Sequence, residues 1–151
     1  MASTLETALD AVADALESIT PSTKPNVVFL RWRGAEDIDK VPGPMRERAF
    51  LLRLGASTIP RSMSAISAWW NRAELQVKIG YNLEEPRQHD VQGLGVDLLP
   101  FVDEALVRRA LQYGNPFLAV GDVKRLVFIS ADPPTATSRT YRFDLEWREN
   151  V

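Results

Sequence analysis

The segment Thr140-Tyr141-Arg142-Phe143-Asp144-Leu145-Glu146-Trp147-Arg148 decides how this chain folds. Tyr141, Phe143, Leu145 and Trp147 alternate with Arg142, Asp144, Glu146 and Arg148, a strict period of two. Successive side chains of an extended backbone point to opposite faces, so this is a strand with one apolar and one charged face. The same alternation runs through Ala73, Leu75, Val77, Ile79 and Tyr81, set against Glu74, Gln76, Lys78, Gly80 and Asn82. Two half-buried strands of this kind need a helical layer on one side only. The other side stays polar, and the sheet edges stay open to partners.

Working outward, a first helix is well specified near the start of the chain. Ser3 and Glu6 have the spacing of a capping box. Leu5, Ala8, Leu9, Val12, Ala15, Leu16 and Ile19 follow as a stripe at three-and-four spacing, with Asp10, Asp14 and Glu17 on the other side. Pro21 and Pro25 end the helix. A strand is predicted over 27–33, with Val28, Leu30 and Trp32 on one face and Val27, Phe29, Arg31 and Arg33 on the other. It reads as covered on both sides over part of its length.

Residues 34–47 hold Glu36, Asp37, Asp39, Pro42, Gly43 and Pro44 without periodicity, and read as an exposed loop. A second strand over 48–57 presents Phe50, Leu52 and Leu54 on one side. A second long loop, 58–71, carries Pro60, Arg61 and the Trp69-Trp70 pair, and the spacing of Met63, Ile66, Trp69 and Trp70 suits a short helical turn. The third strand follows, to about residue 83, and then a polar turn. A second helix runs from about Val91 or Leu98 to Tyr113, its main body starting near Pro100 because proline suits a first turn. Its expected buried stripe is Leu98, Leu99, Val102, Ala105, Leu106 and Ala110, and Gly114 ends it. Strands over 123–130 and 140–149 complete the order α-β-β-β-α-β-β. The prediction is one α+β domain over 1–151: a two-layer sandwich of about five strands, mainly antiparallel or mixed, with two helices on one face.

Composition bounds the function. The 151 residues are 45% hydrophobic and 25% charged, with a formal charge of −2, ordinary for a globular domain. That charge implies no bulk attraction to nucleic acid or anionic membrane. Cysteine is absent, which excludes disulfides and thiolate metal sites. No apolar run has the length of a membrane span, and no export signal is read at the start, so assembly inside a cell is expected. Fourteen of the eighteen basic residues are arginine, a residue enriched at interfaces where lysine is depleted. Codon bias is the alternative source of that imbalance.

Residues of reaction chemistry are sparse. His89 is the one histidine and stands in a polar turn, with Asp90 as its only acidic neighbour. No GxSxG elbow surrounds a serine, and Gln92-Gly93-Leu94-Gly95 lacks the third glycine and preceding strand of a dinucleotide site. Glu36, Asp37 and Asp39 lack the ligand series of a calcium loop. Arg31, Arg33, Arg46, Arg48, Arg53, Arg61 and Arg72 crowd the first half, but acids between them leave no basic stripe, and the aromatic signature of an RNA-binding sheet is missing. No catalysis, metal or cofactor is therefore expected. In Trp69-Trp70 the rings point to different sides, one towards the core and one to a contact, the alternative being both under their own loop.

The opening helix (Leu5 to Ile19), the strand ending Val77-Lys78-Ile79-Gly80-Tyr81, the Asp97-to-Leu111 helix and the closing Tyr141-to-Trp147 strand carry a resemblance. In this layout the chain resembles the tail terminator proteins of long-tailed bacteriophages, whose neck and tail-completion relatives share much of it. The resemblance implies a homohexameric ring in the virion, capping the tail tube and stopping its growth. It implies a head-completion protein above, DNA only passing through the channel, no membrane and no catalysis. The loops at 34–47 and 58–71 would reach neighbours or the tube, with Asp37, Arg46, Arg61, Trp69 and Trp70 as contact residues. The alternatives are another head–tail connector or, in different classes, a small cytosolic enzyme or a ligand-binding module.

Overall fold

The two alternating segments lie next to each other in the middle of one sheet. The computed structural model describes residues 4–34, 36–58, 70–82, 98–113 and 123–148. In chain order these form α1 (Thr4–Glu17), β1 (Leu30–Arg31), a 3₁₀ turn (Ile38–Lys40), α2 (Gly43–Arg46), β2 (Ala49–Thr58) and β3 (Trp70–Gly80). Then come α3 (Leu99–Arg108), continued by a π-helical turn (Arg109–Tyr113), β4 (Val123–Ala131) and β5 (Ser138–Arg148). The sheet order is β1-β2-β3-β5-β4. β1 and β2 are parallel and every other pair is antiparallel, so this is an α+β fold on an open five-stranded mixed sheet.

β3 and β5 pair along their whole length, from Trp70 opposite Arg148 to Gly80 opposite Ser138. Leu75, Val77 and Ile79 thereby stand beside Phe143, Tyr141 and Arg139, and the apolar members turn to one side. On that inner side they meet Val12, Ala13 and Leu16 of α1, Leu99 and Val107 of α3, and Leu111 of the π turn. Fully burying side chains of this size contributes about 1.5–3 kcal/mol each. In α1 the predicted stripe holds: Ala8, Val12 and Leu16 are buried, and Leu5, Leu9, Ala15 and Ile19 pack at the core margin. Its Ser3 cap lies outside the described residues.

α3 departs from its prediction. Its buried line is Leu99, Asp103 and Val107, continued by Leu111 in the π turn, four residues apart each time. Leu98 and Ala105, both expected inside, are exposed, and Val102, Leu106 and Ala110 are half-buried. The helix is rotated because Asp103 has a buried partner on β2's border, described below.

The outer side of the sheet is not uniformly wet either. Residues 34–47 were expected as an exposed loop, yet residues 36–47 fold back as a flap over the sheet. Ile38 and Val41 are buried, and with Ala49, Leu51 and the half-buried Trp32 they make a second, smaller core. Gly80 permits this approach, since a Cβ there would collide with the Arg46 carbonyl oxygen. β1 is also shorter than the predicted 27–33, with Val28 and Leu30 exposed. β3 starts at Trp70, three residues earlier than predicted, because β5 supplies partners out to Arg148. Among the described residues no helix is long and apolar enough to cross a membrane.

Candidate functional site

Beyond the flap, the outer face of β3, β5 and β4 is built from arginines and carboxylates. Arg142 bridges two acids: Nε and a terminal nitrogen reach Asp132 at 3.0 and 2.8 Å, and the other terminal nitrogen donates to Glu74. Asp144 sits between Arg72, at 2.8 and 2.7 Å, and Arg125, at 3.3 Å. Asp144 and Glu146 are buried although they alternate with the core residues, because β5 is central and long neighbouring side chains cover it.

Charge balance shows in the titrations. The Arg142 hydrogen bond holds Asp132 below its usual value, and hydrogen bonds from Gln76 and then Arg142 do the same for Glu74. Asp132 and Glu74 in turn raise Arg142, and Asp144 raises Arg72. Among the described residues, Arg142, Arg72 and Arg125 are matched by Asp132, Glu74 and Asp144, so this lattice largely neutralises itself.

Of the five contact residues expected from sequence, the three that are described, Asp37, Arg46 and Trp70, do not converge. Asp37 caps the 3₁₀ turn, accepting from Ile38 N–H at 2.7 Å, and pairs with Lys78 of β3 at 2.9 Å. The Lys78 hydrogen bond lowers its pKa. Arg46 reaches back to the carbonyls of Asp39 and Val41, at 3.5 and 3.4 Å. Asp39 accepts from the Thr137 hydroxyl at 2.6 Å. Asp37 therefore fastens the flap to β3, while Arg46 closes the flap on itself. Trp70 is a strand residue opposite Arg148, not part of a loop. It stands at the far end of β3 from the flap, about 30 Å away at roughly 3.4 Å per residue. Arg61, Trp69, His89 and the 92–95 segment lie outside the described residues. Among the described residues no three acids or histidines gather where a metal ion could be held.

Sequence reasoning missed one cluster altogether. Arg48 and Asp103 are both completely buried and form a two-pronged ion pair at 3.0 and 2.8 Å. The three remaining N–H groups of Arg48 donate to the carbonyls of Lys24 and Val27, both at 2.8 Å, and Thr23 at 2.7 Å. The Tyr81 hydroxyl donates to Asp103 at 2.9 Å, and burial pushes the pKa of that hydroxyl well up. Arg48 adopts φ +60°, a left-handed conformation that costs about 1–3 kcal/mol in a non-glycine residue. The complete set of bonds offsets it. The cluster clamps the α1–β1 connection, the start of β2 and α3 together. With every donor used and no exposed atom, it has no place for a substrate. The only trace in the sequence was Asp103 at four-residue spacing between Leu99 and Val107.

The sheet edges are the remaining feature. Among the described residues β1 and β4 are its end strands; Leu30 (52%) of β1 and Val28 (51%) just before it are exposed at one edge, Val127 (38%) and Ile129 (54%) of β4 at the other. On the helical side a groove runs between Ile19, Leu106 and Arg109. No family model and no curated protein matches the sequence. The functional reading rests on the residues themselves.

Proposed function

We propose that this chain is a structural, ring-forming protein of the phage neck, a tail terminator that caps the tail tube and joins it to the head. One observation carries this reading. The described sheet is backed by helices on one side, and exposed aliphatic residues at its opposite edges, Val28 and Leu30 at one and Val127 and Ile129 at the other, suit addition of like subunits. Neighbouring copies complete the sheet, and the finished ring offers the tube no further growing end. DNA crosses the channel without being read, consistent with the self-neutralised outer lattice. The enclosed Arg48–Asp103–Tyr81 clamp serves rigidity and not turnover. Because Arg46 is tied to its own flap, Met45, 60% exposed on α2, replaces it as the contact residue of that segment.

The test is polymerisation of the cognate tail tube protein with and without this chain. Tubes of limited length, capped at one end by a ring of this protein, are the expected result. Tubes that grow to the same length and carry no bound copy of this protein overturn the reading.

A further inference from the structure

The flap over the outer face is built as a unit of its own. The backbone N–H groups of Lys40, Val41 and Met45 donate inside it, to the carbonyls of Asp37, Ile38 and Pro42. Side chains tie it to the body. Asp37 pairs with Lys78 at 2.9 Å, Asp39 accepts from the Thr137 hydroxyl at 2.6 Å, and the Asn82 amide donates to the Gly43 carbonyl at 2.9 Å. Ties that are partly open to water hold weakly one by one. The firmer hold is apolar, Ile38 and Val41 against Ala49 and Leu51.

Left-handed backbone stands at both roots of the flap. Gly34 before it has φ +88°, with open space where a Cβ would stand, and Arg48 after it has φ +60°. Arg48 is anchored by its buried ion pair with Asp103, and Lys24 holds the adjoining Glu47 at 3.1 Å. The glycine root is free of such anchors, which makes it the hinge.

The surface beneath is larger than its cover. Leu30 of β1 stands beside Ala49 on the same side of the sheet, yet it is 52% exposed. The flap therefore covers the β2 part of one apolar patch and leaves the β1 part bare. β1 is an end strand of the described sheet, so the patch lies at a border, where another molecule can stand alongside.

We propose that neighbours in the assembled ring exchange flaps, Ile38 and Val41 of one molecule seating on Ala49 and Leu51 of the next. The occupant of the patch is thus a second copy of this chain. The fit is already visible, because the structure shows this flap seated on this patch. Asp37 with Lys78 and Asp39 with Thr137, contacts within one chain when the flap is closed, become contacts between neighbours. Exchange of an identical element is a low-cost route to association, since the bonds released are remade. Passed on in one direction, each flap links its molecule to the next. The inference deepens the ring reading above and rests on it for closure, while the exchange itself can fail separately.

Because the chain has no cysteine, paired thiols report whose flap covers whose patch. Full-length Asp39→Cys and Thr137→Cys, both changed at an exposed tie, are purified, checked for native melting, mixed before assembly and treated with a short bis-maleimide. The mixture should give a covalent dimer at least tenfold above either variant alone. Gly43→Cys with Asn82→Cys, at the other tie, should repeat the result. In the double variant Asp39→Cys/Thr137→Cys, linking the thiols before assembly should hold the flap closed and lower ring formation at least tenfold. Mixtures that assemble but give no more dimer than the single variants overturn the exchange and leave the ring reading standing. A pre-linked double variant that assembles as well as the unlinked one overturns the exchange too. A wild type that forms no ring, alone or on tail tubes, overturns both.

Discussion

α1 and α3 pack against the same inner face of the sheet, but only α1 buries an uninterrupted apolar stripe. The corresponding line of α3 is broken by Asp103, whose partners Arg48 and Tyr81 come from distant parts of the chain. The difference is one of information range. An apolar stripe can be read from a helix alone, because any apolar layer satisfies it. A buried carboxylate is stable only with specific partners, so its helix cannot be oriented until those are known.

The comparison can be broken most severely at Asp103. Asp103→Ala leaves a fully buried guanidinium without its counter-charge and should cost about 3–5 kcal/mol in chemical denaturation. Replacing the set together, by Arg48→Met, Asp103→Leu and Tyr81→Phe, should lose less than the single change, since no uncompensated charge remains. A single-variant cost no larger than that of a surface substitution would mean that the clamp does not exist as described.

Leu16→Ala probes the apolar helix. A loss of about 3 kcal/mol is expected from the missing transfer energy and the cavity left behind. Unlike Asp103→Ala, this loss should not be recovered by altering any polar partner, which equilibrium unfolding of the double variants would show.

Arg142→Ala removes the hub of the exposed lattice. Its partners are partly solvated, so less than about 1 kcal/mol should be lost, and half a molar salt should erase most of the difference. A much larger effect would make the outer lattice, and not the clamp, the chief polar support of the fold.

Acid and alkali should sharpen the contrast further. Asp37, Glu74 and Asp132 have folded pKa values below their usual 3.8, 4.5 and 3.8, so their charged forms stabilise the fold. That contribution is complete above the usual values and disappears as pH falls through the lower folded ones. Tyr81 and Tyr141 are raised above their usual 10.0, chiefly by burial. Their contribution is present below that value and disappears as pH rises beyond it. A thermal melting profile against pH should therefore show a shallow acid decline and a steeper alkaline one, with tyrosine ionisation following unfolding.

The strands from Leu75 to Ile79 and from Tyr141 to Trp147 were legible because alternation is local and half-burial enforces it. α1 was legible for the same reason. The flap was not, since Ile38 and Val41 are two apolar residues among acids and prolines, and only the nearby Ala49, Leu51 and Trp32 give them a core. Arg48 looked like one strand arginine among several, although among the described arginines it is the one wholly enclosed. Of the contact residues, Asp37 and Arg46 had the exposed, charged character of partner-seeking groups. Their partners turned out to lie on the same chain, at Lys78 and at the Asp39 and Val41 carbonyls.

Self-assembly through the unfinished borders of the sheet is the claim on which the functional reading turns. Sedimentation velocity of the intact chain over a wide concentration range, alone and with cognate tail tubes, addresses it most directly. Closed assemblies of identical copies, free or seated on tube ends, are expected. A single-copy species at every concentration, under both conditions, would contradict it.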